Sequence, residues 1–250
     1  MGATKGGSIG GGLITTYQAP DWISYGSVVE GLASGDVTGF SVTLSYDGAF
    51  MAIGSPKADK SNQVRNTGKT AVYAINGTEW ALREEIFGGE NGDIDGTSVG
   101  LSQDGSILVV GGKGYSGNSK YYSGQCKVFE WKATQFEILH TMVGQTRKEE
   151  LGTSVAVSDD GNIIACGGIT GRWGRNIATV SGVVRLWNRM TSREKVIWPP
   201  GYYTSTVDEA SFGSAVSLSS DGKLVVVGAS TWRGSNSNSP GAVHIFDTNW

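Results

Sequence analysis

The chain has 250 residues, 39 of them glycine and only 5 proline, with 17% charged residues and a formal net charge of -3. Interspersed acids and bases exclude the clustered basic excess of a nucleic-acid surface, and no apolar run approaches the length of a membrane-spanning helix. The hydrophobic share of 38% is low, yet 8 Trp, 9 Tyr and 7 Phe leave enough apolar bulk for a core.

The first residues, MGATKGGSIGGG, lack the apolar middle of a secretory signal. They also miss the myristoylation pattern, because position 6 is glycine. The segment GGLITTYQAPDWISYGSVVEG then reads as the third and fourth strands of an incomplete unit, over 11–31, with Trp22 in register with Trp80.

From there one pattern occurs four times: SVTLSYDGAFMAIGS from Ser41, SVGLSQDGSILVVGG from Ser98, SVAVSDDGNIIACGG from Ser154 and SAVSLSSDGKLVVVGA from Ser214. The Asp-Gly pairs at Asp47, Asp104, Asp160 and Asp221 are separated by 57, 56 and 61 residues. A fixed period of this size marks a repeat architecture. Asp-Gly between alternating runs predicts a two-residue hairpin with both central residues at positive φ. After the second strand come a polar loop and a third strand (GKTAVYAI, GQCKVFEW, GVVRLWN, GAVHIFD), then a short turn and a fourth (EWALREEIF, QFEILHTMV, REKVIWP). No sustained 3.6-residue period occurs, so almost no helix is expected.

Four antiparallel strands per unit predict an all-β β-propeller, a single domain over 1–250. Its blades span 39–88, 96–144, 152–200 and 211–250, after the half blade 11–31; the last lacks its outer strand, because Trp250 stands where strand four would begin. Val109, Phe129, Ile164 and Val226 are expected between blades. Closure of four blades does not use every strand, which leaves three expectations: an irregularly closed ring, a chain that is part of a larger propeller, or self-association through the unpaired edges of the incomplete end blades. Cys126 aligns with Val184 and Val243, and Cys166 with Val110 and Val227. Both are expected as free thiols acting as small core hydrophobes.

The combination FGSAVSLSSDGKLVVVGAS…GAVHIFD resembles the FG-GAP class of β-propeller repeat. Phe212-Gly213 supplies the FG and Gly228-Ala229-Ser230 the GAP; Phe40 and Gly54-Ser55-Pro56 do so in the first copy. The second and third copies open with Gly96-Thr97-Ser98 and Gly152-Thr153-Ser154, without the Phe. Integrin-type members hold calcium on Asp-x-Asp-x-Asp-Gly between strands one and two. Here that place has only SYDG, SQDG, SDDG or SSDG, too few oxygens for a cation, so no metal site is carried over. The resemblance implies an extracellular or surface-associated binding module, to which the sequon Asn76-Gly77-Thr78, in a strand three-to-four turn, adds weak support.

Other motifs carry less. NGDIDG, from Asn91 to Gly96, has the spacing of a calcium loop, but Ser102 stands where the closing Glu belongs, so it reads as a polar turn between blades. GKGYSG, from Gly112, fits a dinucleotide fingerprint without the helix that such a site needs. His244 aligns with Lys127 and Arg185, a polar position expected to face solvent, and His140 falls on an outer strand. Glu149-Glu150 and Asp208-Glu209 read as solvated loops rather than paired acids. No catalytic or metal-binding residue and no cofactor is assigned.

The strand two-to-three loops, 55–68, 112–124, 168–182 and 229–241, are long and rich in Gly, Ser and Asn. They carry Tyr115, Tyr121, Tyr122, Arg172, Trp173, Arg175, Trp232 and Arg233. Aromatic and Arg side chains anchor interfaces, although rings on such loops also fold back to shield backbone. The sequence therefore predicts a non-catalytic module that takes a protein partner on its loop-rich face. A lectin-like glycan binder that stacks sugars on Trp173, Trp232 and the tyrosines Tyr115, Tyr121 and Tyr122 is the alternative, and an enzyme at the axial channel a third.

Overall fold

A computed structural model describes residues 26–117, 120–169, 182–200, 211–232 and 240–250. The described chain is all-β, in four antiparallel sheets, with no α-helix. The first sheet is β1 (Ser41–Leu44), β2 (Phe50–Ser55), β3 (Lys69–Asn76) and β4 (Glu79–Phe87), in that spatial order. The second is β5 (Asp95–Leu101), β6 (Ile107–Gly112), β7 (Gln125–Lys132) and β8 (Gln135–Val143). The third is β9 (Ser154–Val157), β10 (Ile163–Gly168), β11 (Val183–Asn188) and β12 (Arg193–Ile197). The fourth has three strands, β13 (Phe212–Leu218), β14 (Leu224–Ala229) and β15 (Ala242–Asp247). Residues 26–31, from the predicted half blade, form no strand, and residues 1–25 lie outside the described residues.

The Asp-Gly hairpins differ from the expectation. Only the glycines take positive φ, 67° to 69°, and the aspartates do not. Ser45 N–H donates to Phe50 C=O around a four-residue loop, Tyr46 to Ala49, inside which Gly48 N–H donates to Ser45 C=O. Asp47 Oδ1 accepts from the Ser45 hydroxyl at 2.7 Å and from Ala49 N–H at 2.9 Å. Ser102/Asp104, Ser158/Asp160 and Ser219/Asp221 repeat this geometry. The short acidic side chain satisfies the turn amide, so the backbone does not need a second left-handed residue.

Neighbouring sheets pack face to face in chain order. One cluster joins Ala52 and Val72 to Leu101, Leu108 and Val110; another joins Val109 and Val128 to Leu151 and Ile164; a third joins Val184 and Leu186 to Phe212, Val225 and Val227. Apolar burial at about 25 cal/mol per Å² is the main stabilising contribution at these joints. Val109, Phe129 and Ile164 are buried as expected, whereas Val226 is only half-buried.

Three polar contacts set the register at every joint. The hydroxyls of Ser41, Ser98 and Ser154 donate to the carbonyls of Gly96, Gly152 and Gly213 in the following sheet, each at 2.8 Å. The turn amides of Tyr46, Gln103 and Asp159 donate to the carbonyls of Gln103, Asp159 and Ser220. Single parallel bridges link Gly68 to Asp95, Gly124 to Leu151 and Gly182 to Phe212. So close an approach leaves no space for a side chain: a Cβ on Gly54, Gly111 or Gly167 would overlap the Gly96, Gly152 or Gly213 carbonyl.

The cysteines correct the sequence reading. Both are fully buried, as predicted, but they are not free: Cys126 on β7 and Cys166 on β10 form a disulfide, Cα atoms 6.5 Å apart. It crosses the joint between the second and third sheets.

Candidate functional site

The β2–β3 and β6–β7 loops are tied to the connections that lead into the next sheet. Arg65, Asn66 and Thr67 accept, through their carbonyls, the amides of Gly92, Ile94 and Asp95 at 3.1, 3.2 and 2.9 Å. One sheet on, Tyr121, Tyr122 and Ser123 accept from Lys148, Glu150 and Leu151 at 2.9, 3.1 and 3.0 Å. Asn66, Tyr122, Ile94 and Glu150 all sit at positive φ, between 48° and 57°. That conformation costs roughly 1–2 kcal/mol per residue outside glycine. Here it is held because amide-to-carbonyl bonds pass through the strained residues on both segments.

These strips place Arg65 and Tyr121 at matching positions, three residues before Gly68 and Gly124, and both side chains are exposed. Tyr121 is 52% exposed and meets the half-buried Tyr122 ring edge-on, centroids 4.3 Å apart. Hydrogen bonding with the Tyr121 hydroxyl raises the Tyr122 phenol above its ordinary range. Tyr115 is half-buried, lies against Gly117, and accepts Gly124 N–H with its carbonyl at 2.9 Å. Trp232 is half-buried against the Phe212 cluster and edge-on to His244 at 5.0 Å. The structure thus brings the three tyrosines onto one loop and leaves Trp232 on the fourth sheet. Arg172, Trp173, Arg175 and Arg233 lie outside the described residues, as do Asp208 and Glu209.

The position shared by Lys127, Arg185 and His244 does not face solvent. Lys127 Nζ pairs with Asp95 at 2.7 Å, and Arg185 pairs with Glu149 at 2.9 Å, all largely buried. His244 packs among Phe212, Trp232 and Phe246, its Nε2 has no hydrogen-bond partner among the described residues, and burial lowers its basicity. These side chains fill the crevice beside the incoming connection, where a carboxylate meets them in the second and third sheets.

Glu149 is also not a solvated loop residue. It is buried, and its oxygens accept from the Gln145 and Thr146 amides, the Thr146 hydroxyl and the Arg185 guanidinium. With its lone pairs engaged it holds the turn and has no free oxygen for acid chemistry. Asp93 does the same for the Gly89 and Glu90 amides, and Asp36 for Ala33. Burial pushes the Asp95 carboxyl up, against the opposing pull of Lys127. His140 lies on β8 as expected, stacked on Trp187 at 4.5 Å and 2.8 Å from Glu194. No cluster of metal-ligating side chains occurs among the described residues.

Beside the first strip lies a cleft of about 380 Å³, between residues 32–36 and the β2–β3 loop. Lys57 and Arg65 are exposed at its rim, Lys69 and Phe87 line its wall, and Lys69 is engaged by Glu85 at 2.8 Å. The sequence reading missed Lys57 and Arg65, because single charges in a Gly/Ser/Asn loop look like solvation. Counting back from Gly68 and Gly124 would have matched Arg65 to Tyr121. No protein-family model matches the chain, and no curated protein matches it.

Proposed function

We propose that the chain is a non-catalytic recognition module, a propeller-type array of FG-GAP character, that takes a protein partner on the face formed by the β2–β3 and β6–β7 loops. The observation behind it is the pair of three-bond strips that hold Arg65 and Tyr121 in matching, exposed positions on rigid backbone. Preordered anchors of these residue types lose little conformational entropy on binding, which favours affinity. At the cleft's rim Lys57 and Arg65 outnumber the exposed Asp59, an excess that favours an acidic segment of the partner. The buried Cys126–Cys166 disulfide supports an extracellular or surface setting, since such bonds persist in oxidising compartments. The face-to-face order of the four sheets supports the propeller arrangement.

The reading is tested by panning a displayed peptide library against the protein and measuring affinity for the selected peptides. Acidic peptides that lose at least about fivefold on Tyr121→Ala and on Arg65→Ala are expected, since an anchor truncation costs more than about 1 kcal/mol. Peptides that bind both variants as well as the parent would refute it. Selective glycan-array binding without peptide binding would replace it with the lectin reading.

A further inference from the structure

Among the described residues the array has two incompletely covered ends, and they are complementary. At each internal joint a fixed set of positions is covered by the next sheet. Ala52, Val109 and Ala165 on the second strand are buried completely, as are Thr70, Cys126 and Val184 on the third. The matching residues of the fourth sheet are Val226, half-buried, and Val243, 69% exposed; Ile245, which matches Val72, Val128 and Leu186, is 67% exposed. At the other end, Val42 and Leu44 on β1 are exposed, although their counterparts Val99, Val155 and Val157 pack into the joints; Ile53 and Ala71, deeper on the same face, are buried, with Val29, Leu32 and Thr38 beside them.

The hydrogen-bonding groups at the two ends also match. The turn ladder from Tyr46 through Gln103 and Asp159 stops at Ser220, whose N–H has no acceptor among the described residues. The carbonyl that this ladder would use next is that of Tyr46. Gly241 holds the place of Gly68, Gly124 and Gly182 and shares their positive φ, but has no bridge among the described residues. Gly228 holds the place of Gly54, Gly111 and Gly167. No carbonyl of the described residues abuts it: the atoms nearest to a Cβ there would be Ala215 Cβ at 3.4 Å, Ser214 Oγ at 3.6 Å and Ala215 N at 3.7 Å. It is shaped for the close approach of a following sheet that the described residues do not supply. One contact of the internal joints is missing, because Ala215 stands where Ser41, Ser98 and Ser154 donate their hydroxyls.

We propose that a second copy of the chain docks head to tail, its first sheet covering the fourth with the register of an internal joint. In that register Val42 and Leu44 of one copy cover Val243 and Ile245 of the other. Ser220 N–H donates to the Tyr46 carbonyl, and the Gly39 carbonyl lies over Gly228. Both surfaces of such a contact are used once per copy, so two copies close into a ring of eight sheets, within the size range of propellers, or further copies extend the series.

The proposal is tested by light scattering and sedimentation on the full chain and on Gly228→Ala. In the single copy the new methyl makes only ordinary contacts, so melting is expected to be unchanged; in the assembly it overlaps a carbonyl. The expected result is a mass twice the 26.3 kDa of the chain, or a longer series, for the parent and the monomer mass for the variant. Ile245→Lys serves as the second variant, with the same expected loss. Chains carrying Ser220→Cys and Tyr46→Cys are then mixed under mild oxidation. Cross-linking between the two kinds of chain is expected. A parent that stays monomeric at every concentration overturns the proposal. So does assembly that survives both Gly228→Ala and Ile245→Lys, or a Ser220→Cys chain that cross-links only to itself. Loss of peptide binding in Tyr121→Ala bears on the loop face alone and leaves this contact untouched.

Discussion

Replacing Cys126 and Cys166 together by valine removes the disulfide cross-link between the second and third sheets while keeping the volume that the sister copies place there. Val184 and Val243 correspond to Cys126, and Val110 and Val227 to Cys166. The disulfide closes a loop of 40 residues. In the chain-entropy account, releasing a loop of that length returns about 4 kcal/mol of freedom to the unfolded chain at 25 °C. Swapping small hydrophobes in the core costs less than about 1.5 kcal/mol, so the loop term dominates. The expected loss is about 4–5 kcal/mol, a large part of the roughly 5–15 kcal/mol that holds a typical domain. The assay is urea unfolding of the oxidised parent and the double variant, followed by fluorescence of the tryptophans. With a slope of about 1–3 kcal/mol per molar urea, the midpoint falls by more than about 1 M. Alkylation in denaturant, before and after reduction, must first show that the parent carries no free thiol. A double variant that unfolds within about 1 kcal/mol of the oxidised parent would refute the reasoning.

Gly54→Ala, Gly111→Ala and Gly167→Ala should each lower stability by at least about 1–3 kcal/mol, read by thermal melting, because the added methyl meets backbone that cannot yield. Glu149→Ala should cost about 3–5 kcal/mol in the same assay, since it strands Arg185 and the Gln145 and Thr146 amides without a partner. The turn aspartates predict acid sensitivity. The Ser219 hydroxyl, then the Lys223 amide, bring Asp221 from 3.8 to about 2, and the Ala49 amide and Ser45 hydroxyl lower Asp47. A carboxyl more acidic in the folded chain stabilises it above the unfolded value and loses that contribution as pH falls through the folded one. Melting temperature should therefore drop between about pH 4 and pH 2, and Asp221→Asn should flatten the drop; an unchanged profile would count against the turn geometry.

Much of the strand framework was legible because two periodicities coincide: alternation within each strand and the Asp-Gly recurrence between copies. Strands β3, β4, β7 and β8 fall on the runs expected to form them. The turn type was misread because Asp-Gly suggests left-handed backbone at both residues, whereas the Asp carboxylate already satisfies the turn amide. The disulfide was hidden by treating two aligned core positions separately. Cys126 faces the following sheet and Cys166 the preceding one, and the copies are adjacent, so pairing was geometrically available. His244, Lys127 and Arg185 were read as outward-facing because polarity usually means solvent. The carboxylate partners of Lys127 and Arg185 are Asp95, where β5 begins, and Glu149, on the connection into the third sheet, and the strand pattern does not encode the path of either. On the loop face, Tyr121 could be picked out by residue type and Arg65 by its equal spacing before Gly68, but the strips that make this spacing matter are seen only in the fold.

A covalent link between the middle sheets has a mechanical consequence. If the chain is stretched from its two termini, tension reaching Cys126 crosses directly to Cys166 and bypasses everything between them, including β8 and β9. Under load those strands remain slack, and the extension released on rupture falls short of the full contour by the length of that 40-residue segment unless a reductant cuts the shortcut.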